Sequence, residues 1–178
     1  MNLKSIPSGI NPPKDLYMII EIPIFTSVKY EISKNRNNIF VDRVISPSMQ
    51  YPYNYGFINN TISYDGDFID SILLLNENLI VGSIIRCRPI GCLLMEDEKG
   101  KDNKLIVVPH KSVSDEYNNI NSIEEIIDNK NIKKIEHFFK HYKDLEKNKW
   151  TKIKKWANKD FAEKEVLNSI NLYNKKLK

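Results

Sequence analysis

Residues 61–72, Thr-Ile-Ser-Tyr-Asp-Gly-Asp-Phe-Ile-Asp-Ser-Ile, place Asp65, Asp67 and Asp70 within six positions around a single glycine. Three like charges this close repel, and a chain that sets them between apolar stretches calls for a cation to offset the repulsion. Hard carboxylate oxygens suit Mg²⁺, Ca²⁺ or Mn²⁺ rather than zinc. Gly66 tolerates positive φ, so the backbone can turn and bring the carboxylates together instead of alternating them across a strand. The pattern is not that of an EF-hand. Ile69 fills the third ligand position, Gly66 is misplaced, and Glu77 comes one residue too late. A solvated acidic turn is the plain alternative for an isolated D-G-D, and the rest of the chain decides between the two.

Upstream of the turn the pattern is β. Tyr17 to Ile22 opens a strand-rich half. In Val28-Lys29-Tyr30-Glu31-Ile32 the apolar residues share one face and leave Lys29 and Glu31 on the other. A polar turn over Lys34–Asn38 leads into Ile39–Val44. Tyr51-Pro-Tyr-Asn-Tyr-Gly-Phe57 crowds aromatic rings of one parity, suiting a bent strand or ordered loop. Downstream come Ile72–Leu75 and then Ser83–Met95, where Pro89 and Gly91 predict a bulge or bend. The charged connection from Glu96 to Lys104 carries Asp97 and Asp102, a second candidate for metal and phosphate chemistry, and closes onto Leu105–Val108. After Ser122 the period becomes helical. Ser122 and Glu125 form a capping box, Ile132, Ile135, Phe138, Phe139 and Tyr142 share a face, and a last helix from near Asn158 carries Ala162, Val166, Ile170 and Tyr173. Strands first and helices last predict an α+β arrangement on an antiparallel sheet or barrel.

A chain of 178 residues buries a core as one domain, residues 1–178, without disulfide or metal staples. A net charge of +4 permits an anionic ligand without calling for a nucleic-acid or membrane partner. Cys87 and Cys92 match no zinc-knuckle spacing and read as two buried free thiols. If both lie on one strand, their odd spacing turns them to opposite faces. The first apolar run, Leu16–Phe25, is interrupted by Glu21 and Pro23 and is neither a signal core nor a membrane span, so a cytoplasmic location is expected.

The loop Asp65-Gly66-Asp67-x-x-Asp70 resembles the signature of the soluble family I inorganic pyrophosphatases of bacterial type. So do Glu21 in I-E-I-P, Lys29 and Glu31 in K-Y-E-I, Arg43 in F-V-D-R, Tyr51 and Tyr55 in Y-P-Y-N-Y-G, and I-R-C-R-P-I-G. Asp97, Asp102 and Lys104 in D-E-K-G-K-D-N-K, the V-P-H triplet, and H-F-F-K-H-Y-K-D-L-E-K-N-K-W with Lys149 near its end continue it. The segments keep one order over roughly residues 5–156.

The resemblance implies a mainly β core of α+β class: a five-stranded, OB-like β-barrel with flanking C-terminal helices, assembled as a homo-oligomer, in bacteria a hexamer. It implies hydrolysis of inorganic diphosphate to two phosphates with several Mg²⁺ ions, Mn²⁺ or Zn²⁺ being able to substitute. Carried over residue by residue, Asp65, Asp70 and Asp102 hold the first Mg²⁺ and Asp70 also a second. Asp97 joins Asp102 on a third, and Glu31 assists a fourth. Lys29, Arg43 and Tyr55 hold one phosphoryl group, and Lys104, Tyr142 and Lys143 the other. A metal-activated water is the nucleophile, with Asp67 as general base and Glu21, Tyr51 and Lys149 in support. The residue chemistry agrees, since diphosphate hydrolysis builds negative charge that cations at both ends stabilise.

Phe68 departs from the family's usual proline and Ser71 from its usual small or apolar residue. Losing proline frees φ at position 68, so a less ordered loop and slower turnover or looser Mg²⁺ binding are expected. Two rival functions stay open on sequence alone. One is a metallophosphohydrolase of nucleotides or polyphosphate. The other is an OB-fold binding module for nucleic acid or anions, which would use the aromatic run as a stacking platform. His137 and His141 lack the glutamate of H-E-x-x-H and read as packing or surface residues, Trp150 and Trp156 read as packing residues, and Arg86 and Arg88 are left outside the site.

Overall fold

Alternating apolar residues dominate the chain up to about residue 110, and they form strands because a β-branched side chain on every second position buries one face of a pleated ribbon. The computed structural model describes residues 3–33, 38–126 and 129–176. Its strands are β1 (Leu16–Ile22), β2 (Val28–Ile32), β3 (Ile39–Val44), β4 (Asn54–Ile58), β5 (Ile69–Leu73), β6 (Ile84–Asp97), β7 (Gly100–Lys101), β8 (Lys104–Pro109) and β9 (Thr151–Ala157), with helices α1 (Lys130–His141) and α2 (Lys159–Lys176).

Five of these strands close on themselves. β1 pairs with β4, β4 with β5, β5 with β8, β8 with β6, and β6 returns to β1. Closure leaves those strands without an open edge and gives the ring that the family resemblance implies. One pairing corrects the antiparallel expectation: β5 and β8 run parallel, with Ser71 opposite Leu105. Closure also demands a near approach of β1 to β4. A Cβ on Gly56 would lie 1.9 Å from the Ile19 carbonyl oxygen, so only hydrogen fits there.

β6 is the spine. Its 14 residues pair with β1, β8, β7 and β9, and its register against β8 shifts between Pro89 and Gly91, where the sequence predicts a bulge. Cys87 and Cys92, on either side of that shift, both lie buried in the main core cluster, and burial pushes both thiols up. The main cluster draws on the ring, on Ile132, Ile135, Phe138 and Phe139 of α1, and on Ala162 and Val166 of α2. A second, smaller cluster joins Leu3, Ile6, Ile19, Ile32 and Phe57, with Phe68 packed against it.

Two features differ from the sequence reading. β9 lies between the helices and pairs with β6, so the order is not strands first and helices last. The Ser122–Glu125 signal caps a short 3₁₀ turn, Ile123–Glu125, rather than a helix: Ser122 accepts from the Glu124 N–H, and Glu125 accepts from the Asn121 N–H. α1 has its own cap, Asn129, which accepts from the Asn131 N–H. Most of the turn expected over Lys34–Asn38 falls outside the described residues. Trp150 is exposed, whereas Trp156 is half-buried and donates its indole N–H to Glu136. Among the described residues no helix is long and apolar enough to cross a membrane.

Candidate active site

β5 begins directly after the aspartate turn, and its first residue, Ile69, is fully buried. That burial anchors one end of the turn. The Thr61 hydroxyl accepts from the Ile69 N–H at 2.9 Å and donates to the Ile58 carbonyl at 2.6 Å, clasping the two ends of the connection between β4 and β5. Within the turn Gly66 takes φ +84°, as its position predicts, and the Asp67 N–H donates to Asp65 Oδ1 at 3.0 Å.

Parallel pairing of β5 with β8 brings Asp70 beside the start of β8. Lys104 Nζ donates to Asp70 Oδ2 at 2.6 Å and to Asp102 Oδ1, so two carboxylates from separate segments face one another across a single ammonium. The hairpin from β6 to β8 supplies the next pair: Lys143, just beyond α1, donates to Asp97 at 2.8 Å and to Glu98 at 2.9 Å. On the far side, the β2–β3 ribbon presents Lys29, which donates to Glu31 at 2.7 Å and to Asp42 at 3.0 Å. Arg43 pairs with Asp42 at 2.8 Å, while its buried Nε has no hydrogen-bond partner among the described residues.

These groups surround one hollow of about 300 Å³. Every site residue expected from the sequence lines it: Glu21, Lys29, Glu31, Arg43, Tyr51, Tyr55, Asp65, Asp67, Asp70, Asp97, Asp102, Lys104, Tyr142, Lys143 and Lys149. Arg86 and Arg88 do not; Arg86 forms a two-pronged pair with Asp15, and Arg88 donates to the Tyr117 carbonyl. His137 and His141 also lie elsewhere, their rings 4.8 Å apart, with His141 against Asp144. Tyr51, Tyr53, Tyr55 and Phe57 are all buried, so the aromatic run offers no open face for bases to stack on.

Burial and charge set the protonation of the hollow. Burial pushes the Asp102 carboxyl up to about 6 against the pull of Lys104, and the Asp70 charge adds to the rise. Burial likewise lifts Glu21 to about 7, opposed by the Ile32 N–H that it accepts at 2.6 Å. For Lys104 burial works against the charge, yet Asp70 and Asp102 outweigh it and the ammonium is held above its usual range. Lys29 behaves in the same way through Glu31 and Asp42. Burial keeps the Tyr55 and Tyr142 phenols protonated, hence hydrogen-bond donors. Lys104 also lies over the rings of Tyr55 and Phe139, at 5.7 and 5.9 Å.

No three His, Cys, Asp or Glu side chains among the described residues are gathered as a ready metal cage. The donor set nevertheless fits hard divalent ions. Asp65, Asp67, Asp70, Asp97 and Asp102 offer only oxygen to one hollow, and two of them already converge on a single positive charge.

Three functional neighbours escape a reading of the sequence. Asp42 is the extra residue of a bulge: Lys29 pairs with Arg43 but Tyr30 pairs with Val41, which turns Asp42 toward Lys29. Glu98 shares Lys143 with Asp97. Glu146 lies 3.9 Å from Arg43 and 3.6 Å from Lys149. The run of three acids Glu96-Asp97-Glu98 signals the second of these; Asp42 in F-V-D-R and Glu146 in D-L-E-K lie inside segments that carry the resemblance, but no spacing marks them out.

A carboxylate-walled hollow ringed by lysine, arginine and protonated tyrosine, on a closed five-stranded ring, defines a class: the metal-assisted phosphohydrolases of small anions. The family profile described as inorganic pyrophosphatase matches residues 18–174. The chain is 50% identical over 174 residues to the inorganic pyrophosphatase of Wigglesworthia glossinidia brevipalpis, covering 96% of each, and 46% identical over 171 residues to that of Escherichia coli K12, covering 96% and 97%. The crystal structure of inorganic pyrophosphatase from Thermus thermophilus superposes with a TM-score of 0.92 at 38% identity, covering 98% of this chain and 99% of that one. The chain belongs to the inorganic pyrophosphatase family.

Proposed function

We propose that the chain hydrolyses inorganic diphosphate to two phosphates in the hollow between the ring and the β2–β3 ribbon. The observation that carries this reading is Lys104, an ammonium only 3% exposed and bonded to both Asp70 and Asp102. It ties β5, just past the glycine-centred turn, to the second acidic segment within one cleft that Lys29, Arg43 and Lys143 also line.

Asp65, Asp70 and Asp102 are the residues to hold a first Mg²⁺. Asp70 also serves a second, Asp97 with Asp102 a third, and Glu31 a fourth. Bound divalent ions supply positive charge for the anion and acidify water. Lys29, Arg43 and the Tyr55 hydroxyl grip one phosphoryl group. The buried Arg43 Nε has the Glu146 carboxylate at 3.9 Å, an ion pair beyond hydrogen-bond reach, and its N–H is a donor that an anion's oxygen would satisfy. Lys104, Lys143 and the Tyr142 hydroxyl grip the other group, the leaving phosphate on which charge accumulates. Asp67 takes a proton from the attacking water. Glu21, Tyr51 and Lys149 line the wall and fix these groups. The same reading makes the chain one domain, cytoplasmic, and a homo-oligomer, in the hexameric form that the resemblance implies. Exposed Phe25, Val41 and Ile80 supply apolar surface for subunit contact, and a solution mass tests it.

The deciding experiment measures phosphate release from diphosphate and from ATP, with Mg²⁺ and with a chelator, for the natural chain, Asp67→Asn and Asp102→Asn. Rapid release from diphosphate alone, lost with the chelator and cut at least a hundredfold by each substitution, is expected. Release unaffected by both substitutions would refute the site.

A further inference from the structure

The turn that carries Asp65 and Asp67 is exposed from Tyr64 to Asp67, and within it the Ser63 N–H donates to the Asp67 carbonyl and the Gly66 N–H to the Ser63 carbonyl. Those bonds shape the turn. Beside the buried Ile69 and the Thr61 clasp, aromatic residues at its two ends join it to the body. Tyr64 reaches Glu165 of α2 at 3.4 Å and lies under Lys101. Phe68 stacks on Phe57 of β4, with centroids 5.0 Å apart and planes 22° apart, and packs on the small cluster of Leu3, Ile6, Ile19 and Ile32. Phe57 is opposite Asp70 in the β4–β5 register, so its ring is held by the same strand pair that carries an expected metal ligand.

We infer that Phe68 is a positioning residue: its stack on Phe57 fixes the aim of Asp67 and Asp65 into the hollow, and the second apolar cluster exists partly to seat it. The inference rests on the proposed diphosphatase activity. The expectation of a loosened turn at position 68 is thereby revised, because a planar ring wedged on a buried ring restricts the main chain from the side-chain end, where proline would restrict it from φ. The aliphatic walls come from Leu3 and Ile6 near the chain start, from β1 and from β2, so segments far apart in sequence share control of the turn.

The test compares Phe68→Ala, Phe68→Leu and Phe68→Tyr with the natural chain, and uses Val166→Ala, in the main core and away from the hollow, as the stability control. Four quantities are read: kcat and KM for diphosphate, the calorimetric Mg²⁺ affinity without substrate, and the melting temperature. Phe68→Ala is expected to lower kcat about tenfold with KM within about twofold, short of the ~100-fold cost of a 1 Å misplacement. Its Mg²⁺ affinity falls about threefold or more as the turn's carboxylates lose their aim. Phe68→Tyr, which keeps the stack, restores both, whereas Val166→Ala lowers the melting temperature and leaves both unchanged. If Phe68→Ala does not fold, Phe68→Leu against Phe68→Tyr decides, since leucine keeps the burial and loses the ring plane. Unchanged kcat and Mg²⁺ affinity in Phe68→Ala, or in Phe68→Leu if only that folds, would overturn the inference, as would equal losses in Val166→Ala. If the natural chain releases no phosphate from diphosphate, the proposed function fails instead, and the Mg²⁺ titration still reports on the turn.

Discussion

The hollow holds a lysine between two carboxylates three times, at Lys104, Lys143 and Lys29, and the first and last of these differ most in depth. Lys104 sits between Asp70 and Asp102 with 3% of its side chain exposed, on strands of the closed ring. Lys29 sits between Glu31 and Asp42 with 23% exposed, on a two-stranded ribbon whose Glu31 is more than half open to solvent. In the first case removal of the lysine leaves the little-exposed Asp102 carboxylate facing Asp70; in the second, water reaches Glu31 and takes over. Similar ion pairs thus serve as a structural tie in one wall and as an adjustable grip in the other.

Lys104→Met tests the deep triad most severely. It leaves Asp70 and Asp102 facing each other and should cost ~3–5 kcal/mol, read by urea unfolding at pH 8 in chelator, with part of the loss returned by added Mg²⁺. A cost no larger than that of Lys29→Met would erase the distinction. Glu21 stands where the two walls meet, on β1 of the ring with its carboxylate accepting from Ile32 of the ribbon. Its folded pKa of about 7 lies above the ordinary 4.5, so the folded chain holds the extra proton between those values. The stabilisation is complete below about pH 4.5 and is lost as pH rises through 7. In chelator, Glu21→Gln should therefore gain on the natural chain over that window, by up to ~3 kcal/mol, and level off above it.

Smaller effects sharpen the contrast. Ser71, next to Asp70, buries a hydroxyl without a hydrogen-bond partner among the described residues. Ser71→Ala should raise stability by about 1 kcal/mol, seen as a higher melting temperature; a fall would mean the hydroxyl finds a partner. Lys29→Met should change stability by less than ~1 kcal/mol while lowering kcat/KM for diphosphate about a hundredfold, a separation that the deep lysine cannot show.

Much of the ring was readable from alternation, and the bend at Pro89–Gly91 from its two conformationally special residues. β9 was not. It is an edge strand rich in lysine, with Lys152, Lys154 and Lys155 among its seven residues, and such charge guards an open edge while concealing the period of two. Its register against β6 also shifts between Leu94 and Met95, breaking the parity that a reader would count. The candidate site was legible because acidic residues clustered around glycine and along a charged hairpin carry their chemistry openly. Asp42 stayed hidden because a bulge, not strand parity, turns it toward Lys29. The seating of Phe68 required knowing that residues near the chain start fold back onto β4, a contact between positions too distant for local pattern to register.

The long strand β6 begins against β1 and ends at Asp97, after crossing every other pairing on its side of the ring. From Leu93 to Asp97 buried and partly exposed side chains alternate, so deleting one residue between Cys92 and Met95 would turn Asp97 away from the hollow. Evolution can therefore trade residues along this strand far more freely than it can change their number.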